Sequence, residues 1–197
     1  ICTAQALLAN LAGMYAAYHG PQGLRDIAER VHSLTVCLKN CLTMKGIDVP
    51  SIYFFDTLVV KTTAGECESI IARALNNHIN LRIIDNDTIG ISLDETTTHE
   101  DVNLLIEVIT GEQANSETEP LHNVIPDELK GTGPVLTHPV FNSYHSETEM
   151  MRYLNRLANR DISLSNGVIP LGSCTMKLNA AAEMIPVTWP GFGNIHP

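Results

Sequence analysis

The run Leu81-Arg-Ile-Ile-Asp-Asn-Asp-Thr-Ile-Gly-Ile-Ser92 decides the fold. Leu81 to Ile84 and Thr88 to Ser92 read as two short strands, and Asp85-Asn86-Asp87 between them has hairpin chemistry. Before this pair, Glu66 to Asn77 reads as a helix with Ile70, Ile71, Ala74 and Leu75 inward. Earlier still, Tyr53 to Thr62 is rich in aromatic and β-branched residues and reads as a strand. After the pair, Thr98 with Asp101 marks a helix start, a capping-box variant with Asp in place of Glu. Val102, Leu105, Ile106 and Ile109 mark the buried face of that helix, and Gly111 ends it. Upstream, Pro21 to about Lys45 is a helix, with Pro in its first turn and Gly46 just past its end. Its Leu24, Ile27, Val31, Leu34, Leu38 and Leu42 recur at spacings of three and four, so one face is buried. The order α–β–α–β–β–α predicts a compact α+β domain of roughly ninety residues, enough for one small core.

Composition narrows the function. The chain has 197 residues, a formal net charge of −10 and 44% apolar residues. That length suits one or two small domains. The acidic balance argues against a general nucleic-acid binder, because neutralising phosphates needs clustered Lys and Arg. No apolar run approaches membrane-spanning length. The five cysteines, Cys2, Cys37, Cys41, Cys67 and Cys174, are odd in number and match no zinc spacing, so they read as reduced thiols. No two of the histidines have the spacing of a metal-binding helix pair, so no metal site is expected.

Outside the α+β block the pattern changes. Thr3 to Tyr18 reads as a helix rich in Ala and Leu, ended by His19-Gly20-Pro21. From Glu112 to about Pro134 polar and acidic residues, with Pro120, Pro126 and Gly131 to Pro134, replace the apolar periodicity, as in a surface linker. Ser146 with Glu149 forms a second capping box before Met150, Met151, Tyr153, Leu154 and Leu157, in a helix that ends near Asn159. The remainder is irregular and carries Pro170, Pro186, Pro190 and Pro197. An opening without Met and a tail without a closing element suggest a piece of a longer chain.

One tail segment, Ile169-Pro-Leu-Gly-Ser-Cys-Thr-Met-Lys-Leu-Asn179, turns at Gly172 and presents Ser173, Cys174 and Thr175 in succession. Three small O–H or S–H side chains can border a polar ligand, where a packing strand would favour branched apolar residues. This run resembles the glycine-decarboxylating P-protein family of the glycine cleavage system. So do Ile1-Cys-Thr-Ala-Gln-Ala-Leu-Leu-Ala-Asn10, Tyr18-His-Gly-Pro-Gln-Gly-Leu24, Ile91-Ser-Leu-Asp-Glu-Thr96, His138-Pro-Val-Phe-Asn-Ser-Tyr-His-Ser-Glu-Thr148, Ala182-Glu-Met-Ile-Pro186 and Asn194-Ile-His-Pro197. The resemblance extends across almost the whole chain, apart from the linker.

The resemblance implies an internal piece spanning the junction of two halves, each of the aspartate-aminotransferase type of pyridoxal phosphate (PLP) enzyme (fold type I). Residues 1–20 would lead out of the first half's large domain, and 21–111 would be its small C-terminal domain. Residues 112–134 would join the halves, and 135–197 would open the second, cofactor-bearing half. The implied activity is glycine decarboxylation with transfer of the aminomethyl group to the lipoyl arm of H-protein, by a homodimer. The implied place is the cytoplasm of a bacterium or the mitochondrion of a eukaryote. The family's Schiff-base lysine lies in a His-Lys segment followed by glycines, and nothing here matches it. Lys177 therefore reads as an ordinary charged lysine. A stand-alone binding or regulatory module with the small-domain fold is the alternative. Another fold-type-I enzyme, such as an aminotransferase, would leave the Gly172–Lys177 motif without a reason.

Several residues have two readings. Ser173, Cys174, Thr175 and Asn179 either border the glycine or PLP pocket or form a turn whose side chains bond nearby backbone. Cys2, at a helix start where the dipole lowers a thiol pKa, is a candidate redox group. Asp94, Glu95 and Thr96 resemble a catalytic acid pair, yet between a strand and a helix they are expected to cap and orient that helix. His145 is expected at a helix entry, and Trp189 as an apolar anchor of the tail.

Overall fold

The computed structural model describes residues 2–113, 125–160 and 181–193. The chain divides into two compact units, Ile1–Asn142 and Ser143–Pro197.

In the first unit α1 runs from Cys2 to Met44 and is broken at Gly20, whose backbone (φ 65°, ψ −178°) is not helical. That conformation is open almost only to glycine. Pro21 then begins the second limb, where its missing N–H costs no helical bond. The break falls where His19-Gly20-Pro21 predicts it. Three strands follow: β1 (Thr57–Lys61), β2 (Arg82–Asp85) and β3 (Thr88–Ser92). They form an antiparallel sheet in the order β1-β3-β2. Between β1 and β2 lies α2 (Ala64–Asn76), and α3 (His99–Thr110) follows β3. This is an α+β unit with the element order expected from the sequence.

Local chemistry explains the boundaries. The Thr63 backbone N–H donates to the Glu66 carboxylate at 2.9 Å, opening α2. At α3, Thr98 N–H donates to Asp101 at 2.8 Å while Thr98 Oγ1 accepts from Asp101 N–H at 3.2 Å. The pair thereby satisfies two donors that a helix start leaves free. Gly111 closes α3 in the left-handed region at φ 76°, its N–H bonded to Glu107 O at 2.8 Å.

The sheet's central strand is its most buried, and Ile89 and Ile91 face the helices with Leu58 and Val60 of β1. Leu34, Leu38 and Leu42 of α1, Cys67, Ile70 and Ala74 of α2, and Val102, Leu105, Ile106 and Ile109 of α3 complete one core. Thr35 is buried too; its hydroxyl donates to Val31 O at 2.9 Å, so it enters the core satisfied. Arg73 clamps α2 to α3: Nε donates to Val108 O at 2.7 Å and Nη2 to Ile109 O at 3.1 Å. These carbonyls lie in the last turn of α3, where helices lack internal donors.

Two expectations need correction. The strand read over Tyr53 to Thr62 begins only at Thr57. Its ladder is set by β3, whose pairing with β1 runs from Thr57–Ser92 to Lys61–Thr88 and offers nothing opposite Tyr53–Phe55. Phe54 and Phe55 turn to α1 instead, both against the His32 ring, with Lys39 Nζ 4.8 Å from the Phe54 ring. Leu75, read as inward, is 60% exposed. The stripe Cys67, Ile70, Ala74 fills the face of α2 that meets the core, and Leu75 lies a helical step of about 100° beyond it.

Past α3, the described part of the predicted linker holds a single 3-10 turn, Asp127–Leu129. A second such turn, Pro139–Asn142, packs on α1. Asn142 Nδ2 closes it by donating to Leu136 O at 2.9 Å and His138 O at 3.2 Å. The second unit contains α4 (Glu147–Ala158), whose cap Ser146 accepts from Glu149 N–H as its sequence suggests. Tyr144 and Tyr153 stack at 4.2 Å, and the Arg156 guanidinium lies 5.4 Å from each ring. Short turns cover Ala181–Met184, Ile185–Thr188 and Pro190–Gly193, where Trp189 meets Phe192 with ring centroids 6.4 Å apart.

Candidate functional site

Ser173, Cys174, Thr175 and Asn179, with Lys177 among them, lie outside the described residues, as does the side chain of Cys2. The other singled-out groups can be placed. Asp94 is a knot of local bonds: its Oδ1 accepts from the Thr96 N–H at 2.9 Å, the Thr96 hydroxyl at 2.7 Å and the Thr97 N–H at 3.2 Å. The Thr96 hydroxyl foremost, with the backbone donors, holds the Asp94 carboxyl below its usual range. Arg30 of α1 donates to Glu95 O at 2.7 Å and Thr97 O at 2.5 Å. Asp94 thus folds the loop that delivers Thr98 to its capping position, and Arg30 ties that loop to α1. A low-pKa carboxylate saturated with donors is a poor proton carrier near neutral pH, so the orienting reading holds.

Cys37 and Cys67 are buried free thiols, and Cys41 is a partly buried one. Burial first, then neighbouring Cys37, pushes the Cys41 thiol up, which leaves less of the nucleophilic thiolate. His145 is exposed at the entry to α4. Among the described residues no three His, Cys, Asp or Glu side chains converge as metal ligands, and no helix is long and apolar enough to cross a membrane.

One cleft among the described residues is a site the sequence reading missed. A cleft of about 690 Å³ opens between the second limb of α1 and residues 125–135. Arg25, Glu29, His32 and Ser33 line one side, Phe55 another, and Lys130 a third. His32 is 5% exposed, stacked on Phe55 at 5.8 Å with 3° between ring planes. Its Nδ1 lies 2.9 Å from Phe55 O. A carbonyl only accepts, so Nδ1 carries a proton, and in that tautomer Nε2 is the ring's acceptor. That Nε2 is buried without a partner. Leaving such an atom unsatisfied costs about 1–3 kcal/mol. One signal could have found the site: a histidine directly after Val31, inside a stripe otherwise filled by Leu, Ile and Val.

Comparison with known proteins extends the picture. A family model described as glycine cleavage system P-protein matches residues 1–109. The glycine dehydrogenase (decarboxylating) of Shewanella sediminis (strain HAW-EB3) is 53% identical over 205 residues, covering 100% of this chain and 21% of the relative. Its namesake from Shewanella halifaxensis (strain HAW-EB4) is 54% identical over 209 residues, with the same two coverages. That of Vibrio parahaemolyticus serotype O3:K6 (strain RIMD 2210633) is 53% identical over 202 residues, again 100% of this chain and 21% of the relative. The chain therefore spans about a fifth of the length of the curated relatives it matches.

Proposed function

This chain belongs to the glycine cleavage system P-protein family, and from that premise we infer that it serves a glycine dehydrogenase (decarboxylating). The observation that carries the reading is identity above one half along the whole chain to proteins of that name. In this proposal glycine loses its carboxylate as carbon dioxide, and its aminomethyl group passes to the lipoyl arm of H-protein. The working enzyme is a homodimer, in the cytoplasm of a bacterium or the mitochondrion of a eukaryote.

PLP is the cofactor this family implies, supplying an electron sink for the carbanion left by decarboxylation. The described residues do not fit it. PLP needs a lysine amine, and three of the four described lysines are engaged elsewhere: Lys39 donates to Ser51 O, Lys45 pairs with Glu112 at 2.7 Å and Lys130 with Asp127 at 2.6 Å. Lys61 is an exposed strand end on β1. The role of 21–111 is accordingly that of a small domain, with 112–134 as a junction and 135–197 as the start of a second half. Ser173, Cys174, Thr175 and Asn179 border the glycine or PLP pocket in this reading, supported by their run of small polar side chains.

Glycine-dependent exchange of labelled bicarbonate, measured on the protein expressed from its whole coding region with lipoylated H-protein, tests the activity. Exchange requiring all three components is expected; none under conditions where a known P-protein is active would overturn the reading. The 197-residue chain alone is expected to give no visible PLP band and no borohydride-fixed adduct. A stoichiometric adduct on Lys177 would overturn its assignment as an ordinary lysine.

A further inference from the structure

The His32 cleft has no place in that chemistry, and its groups form a set of their own. We propose that it binds an α-amino acid as the zwitterion: carboxylate on Arg25, ammonium between Glu29 and His32 Nε2, and side chain against Phe55. Glycine decarboxylation does not enter this inference, which concerns the first unit alone.

Four observations support it. His32 Nε2 is an acceptor fixed in direction, because Nδ1 is committed to Phe55 O at 2.9 Å and the ring is held between Phe55 and Phe54. An acceptor buried without a protein partner takes its donor from outside the chain, a water or a ligand. Arg25 and Glu29 lie one helical turn apart on the same wall, and neither has a side-chain partner among the described residues. Lys130 is already paired with Asp127 at 2.6 Å, so among the described residues that line the cleft Arg25 is the cation left for a ligand. A guanidinium suits a carboxylate, with two parallel N–H donors. A bare anion would satisfy Arg25 but oppose Glu29 and give His32 nothing. A bare amine would do the reverse. The zwitterion answers all three groups, and the cleft, at about 690 Å³, has room for a side chain on the Phe55 ring.

The test is a titration of the 197-residue chain, labelled with ¹⁵N-histidine, with L-leucine, and separately with acetate and with isoamylamine. We expect a saturable upfield shift of the His32 Nε2 resonance with L-leucine, as its lone pair takes up a hydrogen bond. Each half-ligand should bind roughly tenfold more weakly or worse, having lost one charge-assisted contact. Arg25→Ala, an exposed substitution that leaves the core intact, should weaken L-leucine by a similar factor. Glu29→Gln should weaken isoamylamine but not acetate. No shift of Nε2 with L-leucine at tens of millimolar would overturn the proposal. So would an equal response to acetate, or L-leucine binding indifferent to Arg25→Ala.

Discussion

Asp94 shows how a carboxylate that looks catalytic comes to be structural. Its four donors come from residues two and three positions onward, so the geometry is set by the loop and not by a distant partner. Such a group stabilises the fold only while ionised. Its folded pKa is depressed, so the contribution is complete above the carboxyl's unfolded value of about 3.9 and fades as pH falls through the lower folded value. Asp94→Asn should therefore destabilise the chain at neutral pH and flatten the acid side of its stability profile. Urea midpoints at pH 7 and pH 3 measure this; a loss equal at both would contradict it. The sequence placed Asp94 between a strand and a helix but gave no sign of Arg30, which reaches this loop from 64 positions upstream. Only the packed fold brings them together.

At the scale of elements, two glycines and one arginine set the architecture. Gly111→Ala meets no atom within 4 Å of the new Cβ, so its whole cost is the left-handed backbone, about 1–2 kcal/mol. Arg73→Lys keeps the charge and loses the fork that holds Val108 O and Ile109 O, and should cost about 1–3 kcal/mol. Chemical denaturation of both variants checks these values. A neutral Arg73→Lys would show that the clamp is decorative. The caps at Thr98 and Ser146, the stop at Gly111 and the break at Gly20 were legible because each depends on residues within four positions. The start of β1 and the outward face of Leu75 were not. The first depends on how far β3 runs, and the second on which side of α2 the sheet occupies. The cleft had one local sign, His32 beside Val31, and its assembly was illegible for the same reason: Phe55, Lys130 and His32 are far apart in sequence. The Ser173–Asn179 motif, the most specific sequence signal, lies outside the described residues.

On the scale of the whole molecule, the first limb of α1 is an uncovered apolar surface. Leu7, Leu8 and Leu11 are each more than half exposed, and Tyr15 and Tyr18 more than a third. Tyr15 donates weakly to Glu95 at 3.5 Å, and burial, then Glu95, raises its pKa; little else described holds the limb's far end. Contiguous apolar surface drives association, so the 197-residue chain should self-associate at micromolar concentration, and Leu7→Lys with Leu11→Lys should return it to monomer. Sedimentation velocity decides; a monomeric parent chain would refute the expectation. Gly20 gives that surface a further property. The limb before it has about 18 residues and so extends about 27 Å. With its bearing fixed by two backbone angles at one residue, a ten-degree error there would carry the far tip about 5 Å sideways, roughly one turn's pitch. The elbow is thus an aiming device: whatever meets Leu7 and Leu8 is located to within a side chain's width by a residue that has none.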